Sequence, residues 1–298
     1  MASSATDTKD LEALRRHGFG IAYRMLGSVS EAEDVAQEAL LRLARQEDPI
    51  DEPAAWMTTV STRLSINVLT SARARREAYV GPWLPEPLLG DPVPGPHARA
   101  ELAESLSFAL LTLMERLTPV ERAAYLLREA FGYEYADIAA IVERTEANSR
   151  QLVTRARKHL EAGRPRFDPD EAARDALLER FLAAAEEGDL EALEQLLAKD
   201  AVLYADHGGK AMAPREPIFG AADIAHFMAA VAGARLASRE VEATVVRVNG
   251  QPGRVVRGPA EQAPGAGIEV WSVLTVDVVD GRIQAVRIVR NPDKLGHL

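Results

Sequence analysis

YEYADIAAIVERTEANSRQLVTRARKHL, running from Tyr133 to Leu160, decides how the rest of the chain is read. Tyr135, Ile138, Ala139 and Val142 recur at helical spacing and form one apolar stripe. A tight turn leads into a second helix with Ser149, Leu152, Val153, Ala156 and Leu160 on one side. Its other side carries Arg150, Gln151, Thr154, Arg155, Arg157 and Lys158. A narrow apolar seam backed by guanidinium, amide and ammonium groups suits a DNA major groove, where such groups reach base edges and phosphates. The competing reading is a solvated basic helix packed on a neighbour.

Composition narrows the classes. A chain of 298 residues predicts two or three domains, each large enough for its own core. There is no Cys, so disulfides and thiolate metal or redox sites are excluded. The six His are scattered without metal-ligand spacing, and neither a metal nor a cofactor is expected. The opening MASSATDTKD has no apolar signal-peptide core. No apolar run approaches the roughly 18 to 20 residues that span a bilayer, so a cytoplasmic protein without a membrane partner is expected. The net charge of −10 is unevenly placed. Arg144 to Arg166 holds seven Arg/Lys against two Glu, and Pro53 to Val80 holds four Arg against one Glu. Local basic faces of this kind decide where DNA can sit, while the acidic remainder favours solubility.

N-terminal to the opening stretch, a helix is predicted from about Asp10 to Leu26, ending at Gly27. Ser30-Glu31-Ala32-Glu33 has the form of a capping box and opens a helix to about Gln46. Its apolar side is Ala32, Val35, Ala36, Ala39 and Leu43; its far side, Asp34, Gln37, Glu38, Leu41 and Arg45, fits a protein partner or a plain solvated face. A long helix runs from Pro53 to about Ala78, with Met57, Val60, Leu64 and Val68 inward. Thr59, Thr62, Arg63, Ile66, Thr70 and Arg73 face away, with Arg75 and Arg76 at the end. Gly81 to His97 is a linker in which six of seventeen residues are Pro, which makes it extended and stiff. Its Trp83-Leu84-Pro85-Glu86-Pro87 gains nothing in open solvent and is expected to dock elsewhere on the chain. A helix from Ala98 to Arg116 precedes Thr118-Pro119-Val120-Glu121, a clear capped start for a helix with Val120, Ala124, Leu127 and Phe131 inward.

C-terminal to the opening stretch, Gly163 to Asp170 is a second linker, followed by a helix to about Glu187 and another capped by Asp189. Ala201 to Ala205 is a short strand, and Gly220 to Val231 a helix. The β-branched runs Val241–Val248, Ile268–Val279 and Ile283–Val289, with Asn249-Gly250 and Asp280-Gly281 hairpin signals, form an antiparallel meander. Helices first and strands afterwards give an α+β layout with a curved sheet wrapped around helices. Asp206 and His207, before Gly208-Gly209-Lys210, are the candidate acid/base pair, against a polar turn that merely caps the strand.

Taken in order, EAEDVAQEALLRL, AAWMTTVSTRLSINVL and LTPVERAAYLLREAFGYEYADIAAIVERTEANSRQLVTRARKHL resemble regions 2.2, 2.3–2.4 and 4 of sigma factors. The resemblance covers roughly residues 10 to 160 and is to the extracytoplasmic-function group of the sigma-70 family. WLPEP in the linker, DHGGK at Asp206 to Lys210, and NPDKL at Asn291 to Leu295 are similar to the subgroup with a fused SnoaL-like extension, of the cone-shaped fold of nuclear transport factor 2 and ketosteroid isomerase.

The resemblance implies two all-α sigma domains, residues 1–80 and 98–162, linkers at 81–97 and 163–170, and an α+β domain at 171–298. It implies that Arg150, Gln151, Thr154, Arg155 and Lys158 read the −35 element, and that Trp56, Thr59, Arg63, Asn67, Thr70, Arg73, Arg75 and Arg76 melt and hold the −10 element. Asp34, Gln37, Glu38 and Leu41 would grip the β′ clamp helices of RNA polymerase, with the β flap as a further contact. Trp83, Leu84, Pro85, Glu86, Pro87, Asp206, Gly208, Gly209, Lys210, Asn291, Pro292, Asp293, Lys294 and Leu295 would form a regulatory surface between domains. Many relatives carry Asn where this chain has Arg63, and Val where it has Ser149. The function implied is promoter-specific initiation with core RNA polymerase and promoter DNA as partners, modulated in cis and without catalysis. A C-terminal domain that also binds or turns over a small molecule, and a ligand-regulated helix-turn-helix repressor, stay open as alternatives.

Overall fold

The structure is a computed structural model that describes residues 3–77, 79–90, 105–161, 170–236, 241–259 and 268–298; within these, the side chains of 3–9, 72–77, 235, 236 and 268 are outside the description. Two compact units emerge. The first comprises Met1–Ala78, Arg99–Leu106 and Leu113–Arg164; the second comprises Tyr79–Ala98, Ser107–Thr112 and Pro165–Leu298.

The first unit is helical. Helix α1 (Ser3–Leu26) ends at Gly27, whose φ of 67° supplies the left-handed turn that a side chain would disfavour. Helix α2 (Val29–Ala44) starts two residues earlier than the Ser30 box predicts. Ser28 is extended, so its side chain caps the Glu31 amide at 3.2 Å. Glu33 turns instead to Arg15, 3.5 Å away. Ala32, Val35, Ala36 and Ala39 are buried as the periodicity predicts.

Helix α3 (Pro53–Glu77) departs from its predicted stripe. Met57 is buried, but its companions are Thr58, Ser61, Thr62, Ser65 and Leu69, while Val60, Leu64 and Val68 are half-buried. Small hydroxyl residues permit close helix packing: a Cβ added at Gly18 of α1 would fall 2.8 Å from the Met57 side chain and 3.0 Å from Ser61 Oγ. Ser65 Oγ donates to the Ser61 carbonyl at 2.7 Å, a bond made within the helix itself.

The helix predicted from Ala98 to Arg116 has a described part, α4 (Phe108–Met114), whose residues up to Thr112 belong to the second unit; it starts afresh, because Ser107 Oγ accepts from the Leu110 amide. Residues 98–104 lie outside the described residues. Helix α5 (Pro119–Glu129) has the predicted capping box, with Thr118 and Glu121 each bonding the other's backbone N–H. Burial runs from Glu121 through Leu127 on all sides, so α5 is the central helix of this unit and not a one-stripe surface helix. Val120 and Phe131 are only half-buried. Helices α6 (Tyr135–Val142) and α7 (Glu146–Glu161) follow, joined through Glu143 in a left-handed conformation, φ 56° and ψ 52°.

In the second unit, Asp170 and Asp189 cap α8 (Glu171–Glu187) and α9 (Leu190–Leu196), and Gly188 ends the former. Strand β1 (Leu197–Asp206) is longer than predicted, β2 (Ile218–Phe219) was not foreseen, and α10 (Ala221–Leu236) follows. Then come β3 (Glu242–Val248), β4 (Gln251–Pro259), β5 (Ile268–Val279) and β6 (Arg282–Val289). The sheet order is β2-β1-β6-β5-β4-β3. The meander is antiparallel, but β1 lies parallel to β6, so the sheet is mixed. A parallel pair needs a crossover, and α10 with the meander provides it. Asn249-Gly250 and Asp280-Gly281 have φ of 53°, 74°, 50° and 71°, the positive values that two-residue hairpins demand.

Both faces of the sheet carry buried residues, although β3 is largely exposed or half-buried. Leu274 and Ile288 pair on the face that packs with Leu178, Phe181, Leu193, Ile224 and Met228 of the helices. Their neighbours Val273 and Val289 pair on the opposite face, because side chains alternate along a strand. This second face packs with Val248, Val255, Leu84, Phe108 and Leu295. Leu84 of the linker thus completes a core that the strands alone leave open.

Candidate nucleic-acid interface and linker dock

Helix α7 separates its two faces cleanly. Ser149, Leu152, Val153, Ala156 and Leu160 are buried, while Arg150, Gln151, Thr154, Arg155 and Lys158 are exposed. Some of these cations are already held. Arg150 donates to Glu146 at 2.7 Å and lies 4.6 Å from the centre of the Tyr135 ring. Arg155 sits 3.5 Å from Glu121 and Arg157 2.6 Å from Glu129. Burial pushes the Glu121 carboxyl up, but bonds from Thr118 and the nearby Arg155 and His159 leave it below the ordinary carboxylate value. Thr154 Oγ1 donates to the Arg150 carbonyl. Ala147, Arg150, Gln151, Thr154 and Arg155 line a shallow open depression.

Helix α3 carries the other predicted DNA-facing set. Asn67 and Thr70 are exposed, and Trp56 and Thr59 are half-buried. The side chains of Arg73, Arg75 and Arg76 lie outside the described residues. Arg63 is engaged: Nε donates to the Ile141 carbonyl and Nη2 to the Ala140 carbonyl, both at 2.9 Å, and Nη1 is 3.2 Å from Glu143. A cation at the C-terminal end of α6 meets free carbonyls and the negative end of the helix dipole. Beside it, Tyr133 donates to Thr58 Oγ1 at 3.0 Å, and His17 Nε2 lies 2.8 Å from the same oxygen. Burial, with a smaller push from Arg24, holds the His17 imidazole below its ordinary value. Sequence periodicity placed Arg63 on a free outer face; it contained no sign of this clasp.

On α2, Asp34, Gln37 and Leu41 are exposed, Leu41 to 45%, and Glu38 pairs with Arg42 at 2.7 Å. These residues form one polar-plus-Leu surface.

In the second unit, the linker and tail motifs meet at Asp206, which is fully buried. Its carboxylate accepts from the Tyr79 hydroxyl at 2.5 Å, the Leu84 amide at 2.7 Å and Lys294 Nζ at 2.7 Å. Lys294 Nζ also donates to the Leu84 carbonyl and lies 4.9 and 4.3 Å from the Tyr79 and Trp83 ring centres. Burial and the Asp206 bond push the Tyr79 hydroxyl far above the ordinary phenol value. Asn291 donates to Tyr79 at 2.8 Å, and Lys210 pairs with Asp293 at 2.5 Å. Gly208 is required here: its φ is +54°, and a Cβ would fall 2.4 Å from Asn291 Nδ2. Leu84, Pro85 and Pro87 are buried, Glu86 and Pro292 half-buried, and Leu295 joins the second core.

The dock extends beyond the predicted motifs. Leu88 exchanges bonds with Asn249, whose side chain and amide are both used, Leu89 bridges to Val248, and His297 Nε2 meets the Pro87 carbonyl at 2.8 Å. Tyr79, Asn249 and His297 carried no motif signal; Asn249 read only as a turn residue. Residues 91–97 of the linker and 163–169 of the second linker lie outside the described residues.

The chemistry of Asp206 is therefore that of an anchor: its lone pairs already hold three donors from its own chain. His207, 3% exposed, accepts from the Gly209 amide at 3.0 Å and packs its Nε2 against Gly81. Apolar side chains of the helices pack against one face of the sheet. A small cleft of about 90 Å³ beside the tail is lined by Lys210, Glu269, Trp271, Arg290 and Leu295. That is well under the about 300–1,000 Å³ of drug-sized ligand sites. Among the described residues no group of three His, Asp or Glu could hold a metal ion, and no helix is long and apolar enough to cross a membrane.

A helix-turn-helix with an exposed basic face, a bundle carrying a second candidate nucleic-acid helix, and an α+β domain that anchors a linker define a modular DNA-binding regulator. Comparison with known proteins narrows the class. Residues 11–75 match the sigma-70 region 2 family, residues 107–160 the sigma-70 region 4 family, and residues 178–286 the SnoaL-like domain family. The ECF RNA polymerase sigma factor SigJ of Mycobacterium tuberculosis (strain ATCC 25618 / H37Rv) is 35% identical over 295 residues, covering 97% of this chain and 93% of the relative. The probable ECF RNA polymerase sigma factor SigI of the same species (strain CDC 1551 / Oshkosh) is 33% identical over 188 residues, covering 62% of this chain and 64% of its own. The crystal structure of the M. tuberculosis SigJ superposes with a TM-score of 0.75 at 31% identity, covering 96% of this chain and 97% of that one. The chain belongs to the extracytoplasmic-function sigma factors of the sigma-70 family, in the SigJ-like subgroup with a fused SnoaL-like C-terminal domain. It is an initiation factor whose partners are core RNA polymerase and promoter DNA.

Proposed function

We propose that this sigma factor reads promoters in two places and is held in check by its own fold. Arg150, Gln151, Thr154, Arg155 and Lys158 contact the −35 element in the major groove. Trp56, Thr59, Arg63, Asn67 and Thr70, continued by Arg73, Arg75 and Arg76, open and hold the −10 strand by base extrusion and backbone contacts. Asp34, Gln37, Glu38 and Leu41 grip the β′ clamp helices of core polymerase, and residues 98–162 meet the β flap. Residues 1–80 and 171–298 act as the other two domains, in the cytoplasm. The C-terminal domain performs no catalysis: the Asp206 carboxylate is engaged by three donors of its own chain.

The observation that carries the regulatory half is the lock of residues 79–90 on the C-terminal domain through Asp206 and Lys294. The linker between the two DNA-binding parts is thereby fixed at one end, which limits the spacings those parts can adopt. Arg63 in turn must leave the Ala140 and Ile141 carbonyls before it reaches DNA. The test is run-off transcription with core polymerase, comparing the full chain, the Lys294→Met variant and a chain ending before Asn291. The reading requires a changed response to the −35/−10 spacer length when the lock is broken. An unaltered spacer preference and unaltered output in both variants would sink the regulatory half.

A further inference from the structure

Within the −35 set, Arg150 is engaged from two sides by residues outside that set. Tyr135, the first residue of α6, has two guanidiniums near its ring: Arg128 of α5 at 4.8 Å and Arg150 of α7 at 4.6 Å from the centroid. Arg128 is itself held by the Tyr133 carbonyl at 2.8 Å and by Glu134 at 3.1 Å. Arg150 is held on its other side by Glu146, one helical turn earlier, with Nη2 donating to Oε1 at 2.7 Å. Arg150 remains mostly exposed, at 60% of its side chain, so these contacts orient it without burying it.

A long Arg side chain in water samples many rotamers, and ordering it on a base costs free energy. Bidentate recognition of a guanine edge also requires the guanidinium plane to lie in the plane of the base. Tyr135 limits the plane, and Glu146 occupies one N–H edge and offsets the charge that would otherwise draw Arg150 to the nearest phosphate. Arg155 differs in this respect, because it pairs with a carboxylate, Glu121, at 3.5 Å.

We propose that Tyr135 and Glu146 are positioning residues that set Arg150 for one base pair of the −35 element and so determine specificity there. The inference rests on the −35 reading of α7. The experiment uses holoenzyme assembled from core polymerase and the full chain, on a set of promoters carrying every single base change across the −35 element. Wild type is compared with Arg150→Ala, Tyr135→Leu, Tyr135→Phe and Glu146→Gln. Arg150→Ala identifies the base pair that Arg150 reads. Tyr135→Leu and Glu146→Gln each reduce discrimination at that same base pair by about twofold to fivefold, the equivalent of one exposed cation–π or charged contact, and leave the other positions unchanged. Tyr135→Phe, which keeps the ring, retains wild-type discrimination. Uniform loss on all promoters in Tyr135→Leu, or undiminished discrimination in both Tyr135→Leu and Glu146→Gln, overturns the proposal while leaving the −35 reading intact. If Arg150→Ala itself changes no base preference, the −35 assignment of Arg150 fails and the proposal fails with it.

Discussion

Replacing Tyr133 with Phe is expected to free Arg63 for the −10 strand without touching any residue proposed to contact DNA. The clasp consists of two charged donations from Arg63 to the Ile141 and Ala140 carbonyls, an exposed pairing with Glu143, and the Tyr133–Thr58 hydrogen bond. Removing the Tyr133 hydroxyl leaves Thr58 satisfied, since its oxygen still donates to the Ala54 carbonyl at 3.0 Å and faces His17. The loss is therefore one neutral, partly buried hydrogen bond, about 1 kcal/mol. If Arg63 reaches DNA only from the open state, that shift raises the open fraction about fivefold and lowers the apparent Kd by the same factor. Fluorescence anisotropy with a labelled single strand of the −10 element measures it, at fixed salt because strand affinity depends on ionic strength. The substitution changes no charge, so the salt slope stays the same. In an Arg63→Ala background, where the two carbonyl bonds are already gone, the gain shrinks. Unchanged or weaker binding by a Tyr133→Phe protein that unfolds at the wild-type temperature would refute the clasp as a limit on Arg63.

Breaking the anchor should be costly. Asp206→Asn removes the charge opposite Lys294, a pair whose side chains are 0% and 8% exposed, and should destabilise the second unit by about 3 kcal/mol in denaturant unfolding. The same variant should become sensitive to chymotrypsin at Trp83. Thr118→Ala deletes the N-cap of α5 and one half of its reciprocal box with Glu121, for a loss of about 1 kcal/mol. His17 supplies a pH dependence with a definite sign. Its folded-state value is depressed from 6.5, so below that pH the unfolded chain binds the proton more readily, and stability falls as pH drops through the His range. His17→Gln should flatten that slope in thermal unfolding between neutral and mildly acid pH.

How much of this was legible in the sequence depends on whether a contact is local. Thr118 with Glu121, Asp170, Asp189 and the Asn249-Gly250 turn act over two to four residues, and their chemistry is written in adjacent letters. The two faces of α7 follow from period alone, and the observed burial matches them residue for residue. Period failed on α3, where Ser61, Thr62 and Ser65 are buried while Val60 and Val68 are not fully so. There the deciding factor is the close approach of α1, a tertiary property that favours small side chains over apolar ones. The parallel pairing of β1 with β6 joins Leu203 to Val286, and no local signal encodes such a partner. The docking of Trp83 and Leu84 was inferable because apolar residues in a Pro-rich linker need cover. The resemblance grouped Asp206 and Lys294 with that segment, but nothing in the sequence marked the free face of the sheet as the rest of the cover. The engagement of Arg63 is the same kind of fact, since Ala140 and Ile141 contribute only backbone carbonyls.

Reconstituted transcription tests the central claim most directly: core polymerase, the full chain and a promoter selected by sequencing, with initiation scored as run-off product. Promoter-specific product that requires the added chain, and that is lost in an Arg150→Ala, Arg155→Ala double variant of normal stability, is the predicted result. A chain that binds the same DNA but lowers the output of an already competent polymerase would contradict it, and would make the protein a repressor instead of an initiation factor.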